Sequence, residues 1–76
     1  MAQTTQQTTY HLLHRVIDDR WHLEEDGAGS VDSFLTKAEG ALAARERAEV
    51  HRARGTHVRL IVHREDGAVE TDHWYI

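Results

Sequence analysis

The sequence predicts an α+β domain with the element order β-β-α-β-β, in which a four-stranded antiparallel sheet carries one helix across one face. Three observations predict this fold. Segments rich in branched and aromatic residues stand on both sides of a central alanine-rich segment. Thr36 and Gly55 enclose that segment as a helix start and a helix stop. The pair Asp66-Gly67 then marks a turn between the last two strands.

The first half of the chain predicts a β-hairpin. Residues 10–17 are rich in branched and aromatic side chains, which favours a strand. Asp18-Asp19 follows as a turn, and residues 20–25 alternate apolar and polar side chains as a half-buried strand does. Residues 26–30 read as a loop. Residues 31–35 are either extended or a short extra strand.

The central segment predicts the helix. Thr36 is the expected N-cap, and Glu39 stands three residues later as in a capping box. We expect the helix to run from Lys37 to about Arg54, because Gly55 can adopt the left-handed conformation that ends helices. Its apolar face is thin and mostly small: Ala38, Ala41, Leu42, Ala44, Ala48 and Ala53.

The last part of the chain predicts a second hairpin. Residues 58–64 form the strongest strand pattern, with apolar side chains on both faces. Asp66-Gly67 is typical of a two-residue hairpin turn, and residues 68–76 return as the last strand.

Size and composition limit the possible functions. The chain has 76 residues, a formal net charge of −4 and no cysteine, which predicts one small domain in a reducing cytoplasm. Residues 1–9 are polar, and we expect a disordered tail there and a single domain over residues 10–76. We expect no signal peptide and no membrane-spanning segment.

Neither catalytic nor cofactor chemistry is predicted. The serines lack a nucleophile-elbow context, and Gly27-Ala28-Gly29 is not followed by a phosphate-binding basic residue. Seven histidines are the one compositional anomaly, and His11 and His63 are expected to share the sheet face away from the helix, together with His22 or His73. Since no helical His-x-x-x-His pair supports a metal site, we predict no metal and no cofactor. Protonation of the histidines predicts a change in solubility or self-association between about pH 7 and pH 5.

Binding is the favoured class of function. One helix covers only one face of a sheet, so apolar side chains on the other face are expected to form an interface. The candidate interface residues are Leu13, Ile61, Trp74 and Tyr75. The leading interpretation is therefore a protein-interaction module that forms a homodimer through that face or through an exposed edge strand.

Nucleic-acid binding is the alternative. Residues 45–64 contain six arginines and two glutamates, a local net charge of +4. Helical projection places Arg45 and Arg52 within the apolar helix face, where their aliphatic stems could cover the sheet edge. The candidate basic patch consists of Arg45, Arg52, Arg59 and Arg64. The acidic total charge and the single lysine rank this interpretation second. No membrane or small-molecule partner is predicted.

The order of these motifs resembles the bacterial domain-of-unknown-function family 2188, whose short members share such a hairpin, helix start and second hairpin. The matching segments are Tyr10-His11-Leu12-Leu13, Trp21-His22-Leu23, Thr36-Lys37-Ala38-Glu39, Leu60-Ile61-Val62-His63, Asp66-Gly67 and Tyr75. Arg20 departs from the glycine that usually precedes the tryptophan in that family, and Gly40 departs from the usual alanine after the glutamate. The resemblance implies the α+β fold and transfers no catalytic residue.

Overall fold

The structure, a computed structural model, describes residues 6–76 of the chain. These residues form five strands and one helix. The elements in chain order are β1 (Gln7–Arg15), β2 (Arg20–Glu25), β3 (Gly29–Phe34), α1 (Lys37–Ala53), β4 (His57–His63) and β5 (Val69–Tyr75). The predicted α+β class is confirmed. Within residues 6–76 no helix is long and apolar enough to cross a membrane.

The sheet differs from the predicted four-stranded antiparallel one. It has five strands in the order β3-β2-β1-β4-β5, because residues 29–34 form the short extra strand that the sequence left open. β1 pairs antiparallel with β2 but parallel with β4, so the sheet is mixed. The parallel pair requires a long crossover between its strands, and β2, β3 and α1 together supply it.

β1 begins earlier than the sequence predicts. Residues 7–9 belong to this strand because they pair with residues 57–59 of β4. The predicted tail over residues 1–9 is therefore shortened from its C-terminal side. Its first part, residues 1–5, lies outside the residues that the structure describes.

The caps of α1 match the sequence pattern. The Thr36 side chain accepts a hydrogen bond from the Glu39 backbone N–H at 3.2 Å, which satisfies one of the free donors at the helix start. Gly55 has a φ of 88° and follows the C-cap Arg54, as a terminating glycine does.

The second hairpin has a longer turn than the predicted two residues. The Arg64 N–H donates to the Ala68 carbonyl at 2.7 Å, so three residues, 65–67, form the loop. Gly67 takes a φ of 95°, which is the left-handed position that three-residue hairpins require. The Asp66 carboxylate accepts from the Ala68 N–H at 3.0 Å and holds the loop closed.

The core lies between α1 and one face of the sheet. Gly40, Ala44 and Ala48 recur at four-residue spacing and are buried against the strands. The sheet contributes larger side chains, all buried: Tyr10, Leu12, Trp21, Leu23, Val58, Leu60 and Val62. The strands therefore fill most of the core with large side chains, and the small side chains of the helix allow α1 to lie close to the sheet.

The side chain of Tyr10 on β1 contacts both β2 and α1. Its hydroxyl donates to Glu25 Oε1 at 2.8 Å and lies 3.0 Å from Nε2 of His51 on α1. Burial and the neighbouring Glu25 carboxylate raise the pKa of Tyr10, because both disfavour the phenolate. The neutral hydroxyl thus connects β1, β2 and the last turns of the helix.

Candidate functional site

β5 forms one edge of the sheet, and its outer side has no partner strand among residues 6–76. Six of its seven residues are exposed, and Tyr75 is the one that is half-buried. α1 does not lie over this strand. A cleft of about 700 Å³ separates them, with Leu60 and Val62 of β4 at its base.

The two walls of the cleft come from α1 and β5. On the helix side lie Ala38 and Ala41, with Lys37 and Arg45 at the rim. On the strand side lie Glu70, Thr71, His73 and Tyr75. The His73 and Tyr75 rings meet edge to face with centroids 4.7 Å apart. An open strand edge beside an apolar cleft is the arrangement by which sheets accept an additional strand.

Both acidic residues of β5 are paired with cations of the same chain. Lys37 Nζ lies 2.5 Å from Glu70 Oε2, which links the start of α1 to β5 across the cleft. On the opposite face of the strand, the Arg59 guanidinium donates to both carboxylate oxygens of Asp72, at 2.9 and 2.5 Å. The edge therefore carries little uncompensated negative charge.

Arg59 and Asp72 each favour the charged form of the other. The hydrogen bond from Arg59 lowers the pKa of Asp72, and the same carboxylate raises the pKa of Arg59. The Arg59 guanidinium also lies 5.7 Å from the centroid of the Trp74 ring, within the range of a cation–π contact. Trp74 keeps 44% of its surface exposed despite this contact.

The candidate interface residues fall on two faces of the sheet. Leu13, Ile61 and Trp74 lie on the face away from α1, whereas Tyr75 lies on the helix side and packs against the core. The expectation of an exposed apolar face needs correction: Ile61 is only 8% exposed, and Leu13 is half-buried. The reason is that polar side chains occupy the neighbouring positions, with Ile61 paired to His11 on β1 and to Asp72 on β5.

Histidines contribute to this polar face. His11 Nδ1 and His63 Nε2 lie 3.0 Å apart, and the two rings stack with centroids 5.2 Å apart. His22 is on the same face and bonds to Ser30 and Asp18, whereas His73 faces the cleft. The prediction that His11 and His63 share the sheet face away from α1 is confirmed, and His22 lies on that face with them.

The four arginines of the candidate basic patch do not converge. Arg45 and Arg52 are on α1, Arg59 is on the far face of the sheet, and Arg64 is in the last turn. Three of them are engaged with acids: Arg52 with Glu49, Arg59 with Asp72 and Arg64 with Asp66. This arrangement does not favour a nucleic-acid-binding surface, and that interpretation stays a prediction.

Sequence reasoning missed the cleft and two exposed apolar residues at the ends of β5. Val69, the first residue of β5, is 58% exposed, and Ile76, which follows the strand, is 73% exposed. The sequence contained part of this signal, because residues 69–76 include four large apolar side chains. The predicted helix has too few large apolar side chains to cover them. The missing information was the position of β5 at the end of the sheet.

Comparisons with protein-family models, with curated proteins and with solved structures each found no match to this chain. The resemblance to the domain-of-unknown-function family 2188 therefore stays a prediction.

Proposed function

We propose that this chain is a non-catalytic protein-interaction module that self-associates, with β5 pairing antiparallel to β5 of a second copy. One observation carries the proposal: within residues 6–76 the outer side of β5 has no partner strand, and the strand lies beside an apolar cleft that α1 leaves open. Backbone N–H and C=O groups along such an edge readily accept another strand.

The chemistry of β5 supports pairing. Edge strands are usually protected by proline, lysine or an uncompensated charge. β5 contains neither proline nor lysine, and its acids Glu70 and Asp72 are paired with Lys37 and Arg59. A second copy would therefore meet little electrostatic repulsion.

Two-fold symmetry supports a second copy as the partner. An antiparallel β5–β5 pair places the two-fold axis perpendicular to the sheet, so one surface is used twice. Both helices then lie on the same side, and the two clefts meet above the strand pair. The exposed Val69, Trp74 and Ile76 side chains would be covered together in this arrangement.

The proposal includes a cytoplasmic location, which the absence of cysteine supports because a reducing compartment makes disulfides unavailable.

Sedimentation equilibrium on the untagged protein over a wide concentration range tests the proposal. We expect a mass that rises from 8.7 kDa toward twice that value as concentration increases. A monomeric mass at every concentration up to the solubility limit would contradict it.

A further inference from the structure

Three metal-ligand side chains meet at the end of the sheet opposite the C-terminus. They are His14 of β1, Asp19 of the turn after β1, and Glu65 of the turn after β4. One ligand atom from each lies within 4.8 Å of the other two. They come from two separate hairpins, and the parallel pairing of β1 with β4 brings the two turns to the same end of the sheet.

His14 is the anchored member of this cluster. Its side chain is 8% exposed, and its ring lies beside Trp21 with centroids 5.3 Å apart. Nε2 lies 2.8 Å from Asp19 Oδ1 at the surface. Nδ1 is buried and has no hydrogen-bond partner among residues 6–76. Nε2 is therefore the nitrogen through which His14 meets the other members of the cluster.

In each of the two turns, the neighbouring aspartate is the acid that bonds to the turn itself, whereas Asp19 bonds to His14. In the first turn, Asp18 accepts from the Arg20 N–H and bonds to His22. In the second turn, Asp66 accepts from the Ala68 N–H. Asp19 and Glu65 are both exposed, so a hydrated ion can reach them without any movement of the core.

Although the sequence predicts no metal, we propose that His14 Nε2, Asp19 and Glu65 bind a divalent transition-metal ion of the zinc class, with water in the remaining position. Imidazole nitrogen and carboxylate oxygen are both zinc ligands, and three protein ligands leave one coordination position open. Magnesium and calcium are disfavoured, because they prefer ligand sets made of oxygen alone.

The chain contains a matched control for this site. His22 and Asp18 make the same type of pair, with Nε2 and Oδ2 2.7 Å apart and the His22 side chain 15% exposed. The other nitrogen of His22, however, bonds to Ser30 Oγ at 2.9 Å, and no second carboxylate belongs to a ligand cluster with it among the described residues. The His22–Asp18 pair therefore has the first two groups of the proposed site without the third.

Zinc chloride titration of the untagged protein, followed by NMR of the imidazole nitrogens, tests the proposal. We expect Nε2 of His14 to shift in a saturable way at one equivalent, while His22 stays unchanged. Glu65→Gln should weaken zinc binding at least about tenfold, since removal of a direct ligand costs no less than removal of an outer partner. Glu65 is exposed in a turn, so this variant keeps the fold. Asp18→Asn should leave zinc affinity unchanged.

Three results would overturn the site. They are the absence of a saturable shift at His14, earlier shifts at His11 and His63, and equal zinc affinity of the Glu65→Gln variant and the native chain.

Discussion

The two edges of the sheet, β3 and β5, differ in how much of their apolar surface the chain covers. On β3 the large apolar side chains, Val31 and Phe34, pack against the core. On β5 Tyr75 packs against the core, whereas Val69 and Trp74 stay exposed. The apolar surface of β3 is therefore covered more completely than that of β5.

The backbone of the two edges differs as well. On β3, Asp32 Oδ1 accepts from the Ser33 N–H at 2.8 Å, so a side chain of the strand occupies one of its own donors. Both edge ladders contain an irregularity, at Leu23/Glu24 between β2 and β3 and at Val62/His63 between β4 and β5, so this feature does not distinguish the two edges. On β5 the carboxylates of Glu70 and Asp72 are bound to cations instead of to the strand's backbone. This difference in the bonding of the carboxylates indicates that β5 can pair with a further strand more readily than β3.

The largest effect is expected at Gly40, where the backbone of α1 lies close to side chains of the sheet. A Cβ atom on Gly40 would come within 2.7 Å of Leu12 Cδ1, and Leu12 is fully buried. Gly40→Val should therefore lower the free energy of unfolding by about 2–3 kcal/mol, as overpacking of a core does. Urea unfolding monitored by circular dichroism measures it.

Glu46→Val is the control for Gly40→Val, because Glu46 is exposed on the same helix and valine there causes no overpacking of the core. If both variants lose the same stability, the close approach of α1 to the sheet does not account for the loss.

The next effect concerns self-association through β5. Trp74→Lys places a charge on the edge and removes exposed apolar surface, so it should weaken dimerisation at least about tenfold, or 1.4 kcal/mol. Asp32→Lys on β3 is the matched control and should leave the dimerisation constant unchanged. Sedimentation equilibrium measures both. Equal weakening by the two variants would remove the distinction between the edges.

A smaller effect on dimerisation is expected when the negative charge of Glu70 on β5 loses its cation. Lys37→Ala leaves Glu70 without its cation, and the two copies then bring like charges together. Dimerisation should weaken by about two- to threefold, the range of a single exposed ion pair, and the loss should shrink in high salt. Arg52→Ala, which frees Glu49 on α1, is the control and should have no effect on dimerisation. A loss that does not respond to salt would argue against repulsion as its cause.

The smallest effect is the change in folding stability at acidic pH. Arg59 holds the pKa of Asp72 below its ordinary 3.8, so the unfolded chain binds this proton more readily than the folded chain. The resulting contribution to folding stability is fully present above the ordinary pKa and disappears as the pH falls through the lowered folded value. NMR titration of the Asp72 carboxyl carbon should show a midpoint below 3.8, and Arg59→Gln should move that midpoint upward. A native midpoint at or above the ordinary value would contradict the pairing.

Local features of the fold could be predicted from the sequence, because short-range chemistry determines them. The cap at Thr36, the stop at Gly55 and the turn glycine Gly67 all follow from hydrogen-bonding capacity or from a left-handed backbone. β2 and α1 were placed within one residue of their observed bounds. Pairing between distant strands could not be predicted in this way, since β1–β4 contact depends on how the long crossover returns.

The candidate site was less accessible to sequence reasoning for the same reason. Trp74 and Tyr75 were identified as interface candidates, but they lie on opposite faces of β5 because side chains alternate along a strand. Ile61 was expected to be exposed, although neighbouring polar side chains cover it. The compensation of Glu70 by Lys37 joins residues 33 positions apart, and no local pattern indicates it.

The difference between the two edges is tested most directly by disulfide trapping, because the chain contains no cysteine of its own. Single cysteines are introduced along β5 (Thr71→Cys, Asp72→Cys, His73→Cys and Trp74→Cys) and on β3 (Ser30→Cys and Asp32→Cys), and each variant is oxidised at a concentration where the native chain dimerises. We expect cross-linked dimers from the β5 positions that face each other across the two-fold axis, and none from β3. Absence of cross-links along β5, or equal cross-linking through β3, would contradict self-association through β5.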